Sequence, residues 1–338
     1  MDLDQFPRVT LCHGPTPLEP MPRLTESLAG PNLFIKRDDC TGLGTGGNKT
    51  RKLEFLIGEA LSENADIVVT QGAVQSNHVR QTAAAACRTG LDCHGLLERR
   101  VPNAGEDYET TGNVFLDHMF GATLEFRAPG LDMNAEAMAV AENLRAEGRR
   151  PYFIPGGGSN PTGALGYAVC AGELVAQAEE RNMKIDWIVM GTGSTGTQAG
   201  LVAGLFALDA NIPVMGVSVR QNRDVQIKAV HKLVETTALK IGCDPAPVSK
   251  VIVDDGFVGD GYGIPAGSTL EAIMLAARME GILLDPVYSG KGFAGLVAMV
   301  RDGFFKTGDN VVFLHTGGSA ALFAYQDVLS KHFQQYGS

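Results

Sequence analysis

The sequence predicts an α/β protein built as two three-layer open-sheet domains, and three observations carry that reading. Short β-rich runs alternate with longer helical patterns, glycine-rich loops stand where strand gives way to helix, and the composition is that of a folded chain: 44% hydrophobic, 20% charged, with 42 glycines in 338 residues. DIVVT (66–70) precedes NHVRQTAAAACR, DCHGLLE (92–98) precedes a helical pattern through VFLDHMF, and WIVM (187–190) precedes AGLVAGLFAL. This is the rhythm of a parallel sheet with crossover helices. The length allows one large domain or two smaller ones. The glycine-rich stretches GTGGN (44–48) and PGGGSNPTG (155–163) bracket a segment with its own complete alternation. They predict a small α/β domain over 51–159, inserted in a larger one made of 1–50 and 160–338, with the cleft between them as the natural ligand site.

Charge narrows the partners. A formal net charge of -10 repels a phosphate backbone, and no basic block offers a local exception, so nucleic acid is not expected. The N-terminus MDLDQFPRVTLCHG carries acids where a signal peptide needs a basic start, and no apolar run approaches the roughly 20 residues of a spanning helix. A cytoplasmic protein with no membrane partner is expected. Cys12, Cys40, Cys87, Cys93, Cys170 and Cys243 lack the short spacings of zinc or redox motifs, and read as buried small apolar residues with no metal.

Lys49 is the most informative residue. In GTGGNKTRKLEFL (44–56) a glycine-rich loop runs into a helix with Leu53, Leu56 and Ile57 on one face, which places Lys49 at the helix start. The positive end of a helix disfavours an ammonium, so a lysine there is easily deprotonated and open to imine chemistry. Lys36, Lys52 and Lys291 do not follow a paired glycine.

Three further loops sit at strand-to-helix turns. In GTGSTGTQAG (191–200), backbone N–H groups and the hydroxyls of Thr192, Ser194, Thr195 and Thr197 can cradle a phosphate. Gly191, Gly193 and Gly196 also fit a dinucleotide fingerprint, and the following strand ends in Arg220, so an NADP-dependent reductase stays open at this point. HTGGSAALFAY (315–325) follows an apolar strand and reads as a helix start with Thr316 at the turn, either as a cap or as a site residue. GAVQSNHVRQTAA (72–84) gathers Ser76, Asn77 and His78 at a helix start, a turn suited to a carboxylate. A non-catalytic metabolite-binding protein would account for the same loops.

GGNKTRKLEFL, QSNHVRQTAA, SNPTGALGY, GYGIP, LLDPVYSGKGFAGL and HTGGSAALFAY together resemble the D-cysteine desulfhydrase and aminocyclopropane-carboxylate deaminase family, over about residues 7 to 326. That family belongs to the tryptophan-synthase-β-like, fold type II enzymes of pyridoxal 5'-phosphate. The resemblance implies Lys49 as the Schiff-base lysine, Asn77 on the cofactor's phenolic oxygen, and Gly193, Ser194, Thr195, Gly196 and Thr197 on its phosphate. It implies Tyr262 and Tyr288 beside the substrate and a homodimer, while the turn of Ser76, Asn77 and His78 is expected to hold the substrate carboxylate. The deaminase branch carries glutamine at the position of His78 and glutamate at that of Ser289. A hydroxyl of Thr316 or Ser289 would therefore face the pyridine nitrogen, giving a shallower electron sink that suits loss of a good leaving group from Cβ.

Two elimination branches remain, one releasing sulfide from D-cysteine and one releasing sulfite from cysteate. DDCTGL, LDCHGLLE, LDMNAE and the VR ending of the 214–220 strand resemble the cysteate branch. The implied reaction has the substrate amine displace Lys49, the freed amine take the Cα proton, and sulfite leave, with pyruvate and ammonia as the other products. A permanently anionic sulfonate needs donors or a cation that a thiol does not. Arg220 and His78 are the candidates.

Overall fold

A computed structural model describes residues 1–102 and 104–336. Ten strands form two sheets: β1 Leu18–Pro20, β2 Asn32–Lys36, β3 Ile67–Ala73, β4 Asp92–Glu98, β5 Thr123–Arg127, β6 Pro151–Ile154, β7 Trp187–Thr192, β8 Val214–Ser218, β9 Val251–Asp254 and β10 Asn310–Leu314. The six-stranded sheet runs in the order β1-β2-β10-β7-β8-β9 and the four-stranded sheet β5-β4-β3-β6. All neighbours pair parallel except β1 against β2. Central strands of such sheets are covered on both faces, so β3 is a buried run throughout.

Local chemistry sets the helix starts. Ser76 caps the Asn77–Thr89 helix by accepting from the Val79 amide, and Gly90, at φ 76°, ends it. Asn160 caps the Pro161–Glu180 helix by accepting from the Gly163 amide, with proline at the first turn. Three helices then pack through glycine. Gly166 of Pro161–Glu180 lies on the Arg51 backbone of the Lys49–Ser62 helix, where a Cβ would collide with the Arg51 carbonyl. A Cβ on Gly204 of the Gly196–Ala207 helix would come within 2.8 Å of Ala168 Cα, and one on Gly200 would strike the Ala164 carbonyl.

Two expectations are corrected. The segment after β10 does not open an α-helix: Gly317 (φ 83°) and Gly318 (φ 110°) hold the chain in the left-handed region, and a 3-10 turn, Ser319–Tyr325, precedes the Gln326–Tyr336 helix. Thr316 is therefore not a helix cap. Of the six cysteines, all free, only Cys93 and Cys170 are buried; Cys40 and Cys87 are exposed, because their positions face outward from the core clusters. Among the described residues no helix is long and apolar enough to cross a membrane.

The carboxyl ends of the parallel strands are where loops can gather polar groups. Ser76 follows β3, Arg100 follows β4, Gly157 follows β6, Ser194 follows β7, Arg220 follows β8 and Thr316 follows β10. The first five line one cavity, and Thr316 lines the one next to it.

Candidate active site

Lys49 is the first residue of its helix, after Gly46 (φ 74°) and Gly47 (φ 127°). Only glycine holds those angles without strain. The Thr41 hydroxyl accepts from the Gly47 amide at 2.8 Å and donates to its carbonyl at 2.9 Å, and the Asn48 amide donates to the Thr316 carbonyl at 3.1 Å. A Cβ on Gly317 would lie 2.8 Å from Gly47 Cα, so the lysine loop and the Thr316 loop touch backbone to backbone. The Lys49 amine donates to Asn48 Oδ1 at 2.9 Å and stands 5.8 Å from the centre of the Tyr288 ring.

Burial, more than any other cause, pushes the Lys49 ammonium down to about 8; the nearby Arg80 charge acts the same way and Asp285 opposes it. A consequence is measurable. Only the neutral amine captures an aldehyde, so covalent uptake of pyridoxal phosphate by cofactor-free protein should accelerate between pH 7 and 9 and level off above. At pH 7 roughly one amine in ten is neutral. Stopped-flow absorbance checks this, and a midpoint near that of free lysine would contradict it.

The 193–197 loop connects β7 to the Gly196–Ala207 helix. Thr195 at φ 71° turns the chain, and the Gly196 amide is held by Ser159 Oγ at 3.2 Å. Beneath it lies a residue that sequence reading passes over. Lys52 is fully buried, its amine donates to the Gly157 carbonyl at 3.0 Å, and a Cβ on Gly196 would come within 2.9 Å of it. Burial, then the charge of Lys49, pushes its ammonium well below the ordinary range, so an anion in the loop is the partner that would stabilise it. The signal was available: Lys52 sits one turn beyond Lys49, on the same helix face.

A cup of hydroxyls and N–H groups over the buried Lys52 amine, a deprotonable lysine, and the side chains of Asn77 and Thr316 around one pocket fit pyridoxal phosphate. Among the described residues no carboxylate lines that pocket.

The adjoining cavity, about 190 Å³, is lined by Ser76, Arg100, Arg220, Tyr262 and Tyr288 among others, and again by no carboxylate of the described residues. That volume suits a small amino acid and falls short of drug-sized ligands. Ser76 Oγ accepts from the Val79 amide and keeps its proton for a ligand. Tyr288 donates to Tyr262 at 3.1 Å, and burial raises both phenols, Tyr262 the further, so both remain proton donors. Arg100, unmarked in the sequence, bonds through Nε to the Glu98 carboxylate and lies 5.4 Å over the Tyr262 ring.

Two expected site residues are corrected. His78 cannot serve as a cation or carboxylate donor. Its Nε2 bonds Thr70 Oγ1 at 2.8 Å, and that hydroxyl spends its own proton on the Ile154 carbonyl. The ring proton must therefore sit on Nε2, leaving Nδ1 a buried acceptor without a partner among the described residues. Burial and the charges of Lys49 and Lys52 keep the ring neutral. Ser289 does not face the cofactor pocket. Its hydroxyl donates to the Asp285 carboxylate at 2.7 Å and accepts from the Asp285 amide at 2.8 Å. Asp285 also takes the Val287 and Tyr288 amides at 2.7 Å, so this knot sets the Tyr288 backbone, and of Ser289 and Thr316 it is Thr316 that lines the pocket.

Two sheets, parallel but for the edge strand β1, with a buried lysine opposite an anion loop define an α/β enzyme of pyridoxal phosphate, fold type II. The chain belongs to the pyridoxal-phosphate dependent enzyme family, whose model matches residues 9–317. It is similar to an ACC deaminase homologue at 39% identity over 97% of both chains, with a TM-score of 0.88. A threonine deaminase from T.th. shares the fold at 19% identity (TM-score 0.61, covering 90% of this chain and 92% of that one). So does a hydrogen sulfide-producing enzyme from Fusobacterium nucleatum, at 16% identity (TM-score 0.62, covering 90% and 96%). The cofactor is pyridoxal phosphate. The dinucleotide reading of Gly191, Gly193 and Gly196 falls away.

Proposed function

We propose that the protein eliminates sulfite from cysteate, giving pyruvate, ammonia and sulfite. One observation carries this reading: Arg100 and Arg220 share the substrate cavity with Ser76 and the tyrosine pair, and no described carboxylate lines it. A thiol needs no such cations; a sulfonate, an anion at every working pH, needs its oxygens paired when water is excluded.

Pyridoxal phosphate, when bound, holds the substrate amine and draws off the electron pair left at Cα. The chain supplies the rest. The Ser76 hydroxyl would hold the substrate carboxylate and orient Cα–H toward Lys49, while the Asn77 side-chain amide would hold the cofactor's phenolic oxygen. The Lys49 amine, neutral above about pH 8, takes the Cα proton. Arg100 and Arg220 gather the sulfonate oxygens and stabilise the charge that grows on the departing sulfite as the Cβ–S bond breaks. Water then releases pyruvate and ammonia. The Thr316 hydroxyl, in place of an acid in the pocket, supports elimination over chemistry that needs a deeper electron sink.

The deciding experiment incubates cofactor-loaded protein separately with L- and D-cysteate and with D-cysteine, and measures sulfite, sulfide and pyruvate. Sulfite and pyruvate in equal amounts are expected from one cysteate enantiomer. Sulfide from D-cysteine with no turnover of cysteate would overturn the proposal.

A further inference from the structure

Side-chain amides are two-faced: one end accepts and the other donates. Which end of Asn77 meets the cofactor depends on what holds the other end. Asn77 Oδ1 accepts from Asn113 Nδ2 at 3.0 Å. Asn113 is fully buried, and its own orientation follows from neighbours of one polarity only. Its Oδ1 meets Arg80 Nε at 2.9 Å, and guanidinium has donors alone. Its Nδ2 meets the Gln75 carbonyl at 3.3 Å, which only accepts. Both contacts demand the same orientation, so the atom of Asn113 facing Asn77 is a donor and Asn77 must offer it oxygen.

Arg80 is itself fully buried and bonds no carboxylate among the described residues. Its NH1 donates to Thr45 Oγ1 at 2.7 Å and to the Gly46 carbonyl at 2.9 Å, and also to the Gly44 carbonyl. Those acceptors belong to the left-handed turn that leads into Lys49, where Gly44, Thr45 and Gly46 have φ of 50°, 69° and 74°. The acid beside it, Asp117, has both carboxylate oxygens buried without a hydrogen-bond partner among the described residues. One guanidinium thus ties the lysine loop to the Asn77 amide.

The geometry points to Arg80 and Asn113 as positioning residues that fix the polarity of Asn77, locking its NH2 end toward the cofactor's phenolic oxygen. This rests on the reading of Asn77 given above. A donor there stabilises the oxygen as an anion; a reversed amide would set an acceptor against it and favour its protonated form.

The test is a double-mutant cycle on the holoenzyme, read from the pH at which the visible band of the Lys49-bound cofactor titrates. Asn113→Asp keeps the shape, accepts from Arg80, and can no longer donate to Asn77. It is expected to move the midpoint by about one pH unit or more. In an Asn77→Leu background the same substitution should move it by less than about a third of that, because the path through Asn77 is gone. Asn113→Leu carries no charge and repeats the cycle if the aspartate variant folds poorly, with the melting temperature as the control. Equal shifts in both backgrounds would mean a direct charge effect and would overturn the relay. So would a shift of less than about 0.2 units in a folded Asn113→Asp variant. Wild-type protein that forms the Lys49-bound band but is indifferent to Asn77→Leu would instead remove the underlying reading of Asn77, and the relay with it.

Discussion

Replacing Lys49 with alanine is expected to lower the elimination rate by about 10³-fold or more, the span of a lost general base combined with a lost covalent anchor. Lys52 cannot substitute, because its amine points to the Gly157 carbonyl beneath the phosphate loop. The same variant should bind pyridoxal phosphate without the visible band of a covalently held aldehyde. Single-turnover product release and absorbance together check both parts. Unchanged turnover would remove Lys49 from the chemistry.

The second large effect concerns substrate choice. Arg220 is exposed at the cavity rim, so Arg220→Met should leave stability nearly intact. It should reduce kcat/KM for cysteate by roughly 30-fold or more, the cost of truncating one partner of a charge pair in a partly dry site. Arg100→Met should act the same way, with some loss of stability as well. Glu98 is only 5% exposed and keeps just the Gly130 amide, at 2.9 Å, when the arginine is gone. Neither change should alter turnover of an uncharged β-substituted alanine by more than about threefold, since no sulfonate is then present to lose its partner. Equal losses on both kinds of substrate, in steady-state kinetics, would assign the arginines to the architecture alone.

Much of this site can be read from local sequence because its parts are local. An apolar run such as Ile67–Ala73, a paired glycine before a helix at Lys49, and a hydroxyl-rich turn at 193–197 each need only a few adjacent residues. The harder features are made by residues distant in sequence. Arg100 looks like a surface arginine until β3, β4 and β8 bring their carboxyl ends together. Asn113 and Arg80 are separated by 33 positions and carry no motif. The reversal for Ser289 follows from Asp285, four residues earlier, which captures its hydroxyl. That for His78 follows from a threonine on the adjacent strand whose only proton is already spent. A polar side chain announces a site residue in sequence; whether its donors are free is decided by neighbours that sequence does not order.

The glycine seams between helices bear on how firmly the site keeps its dimensions. From Lys49 the path to the anion cup runs through the Arg51 backbone, Gly166 and Ala164, and then Gly200, with main chain against main chain at each crossing. Contacts of that kind have little room to yield. The helix that carries Lys49 and the helix that follows the 193–197 loop are therefore held at a fixed spacing, and the two ends of the site cannot drift apart independently. An added methyl at Gly200, one turn beyond Gly196, would meet the Ala164 carbonyl and force the two helices apart, moving the loop relative to Lys49 without touching either.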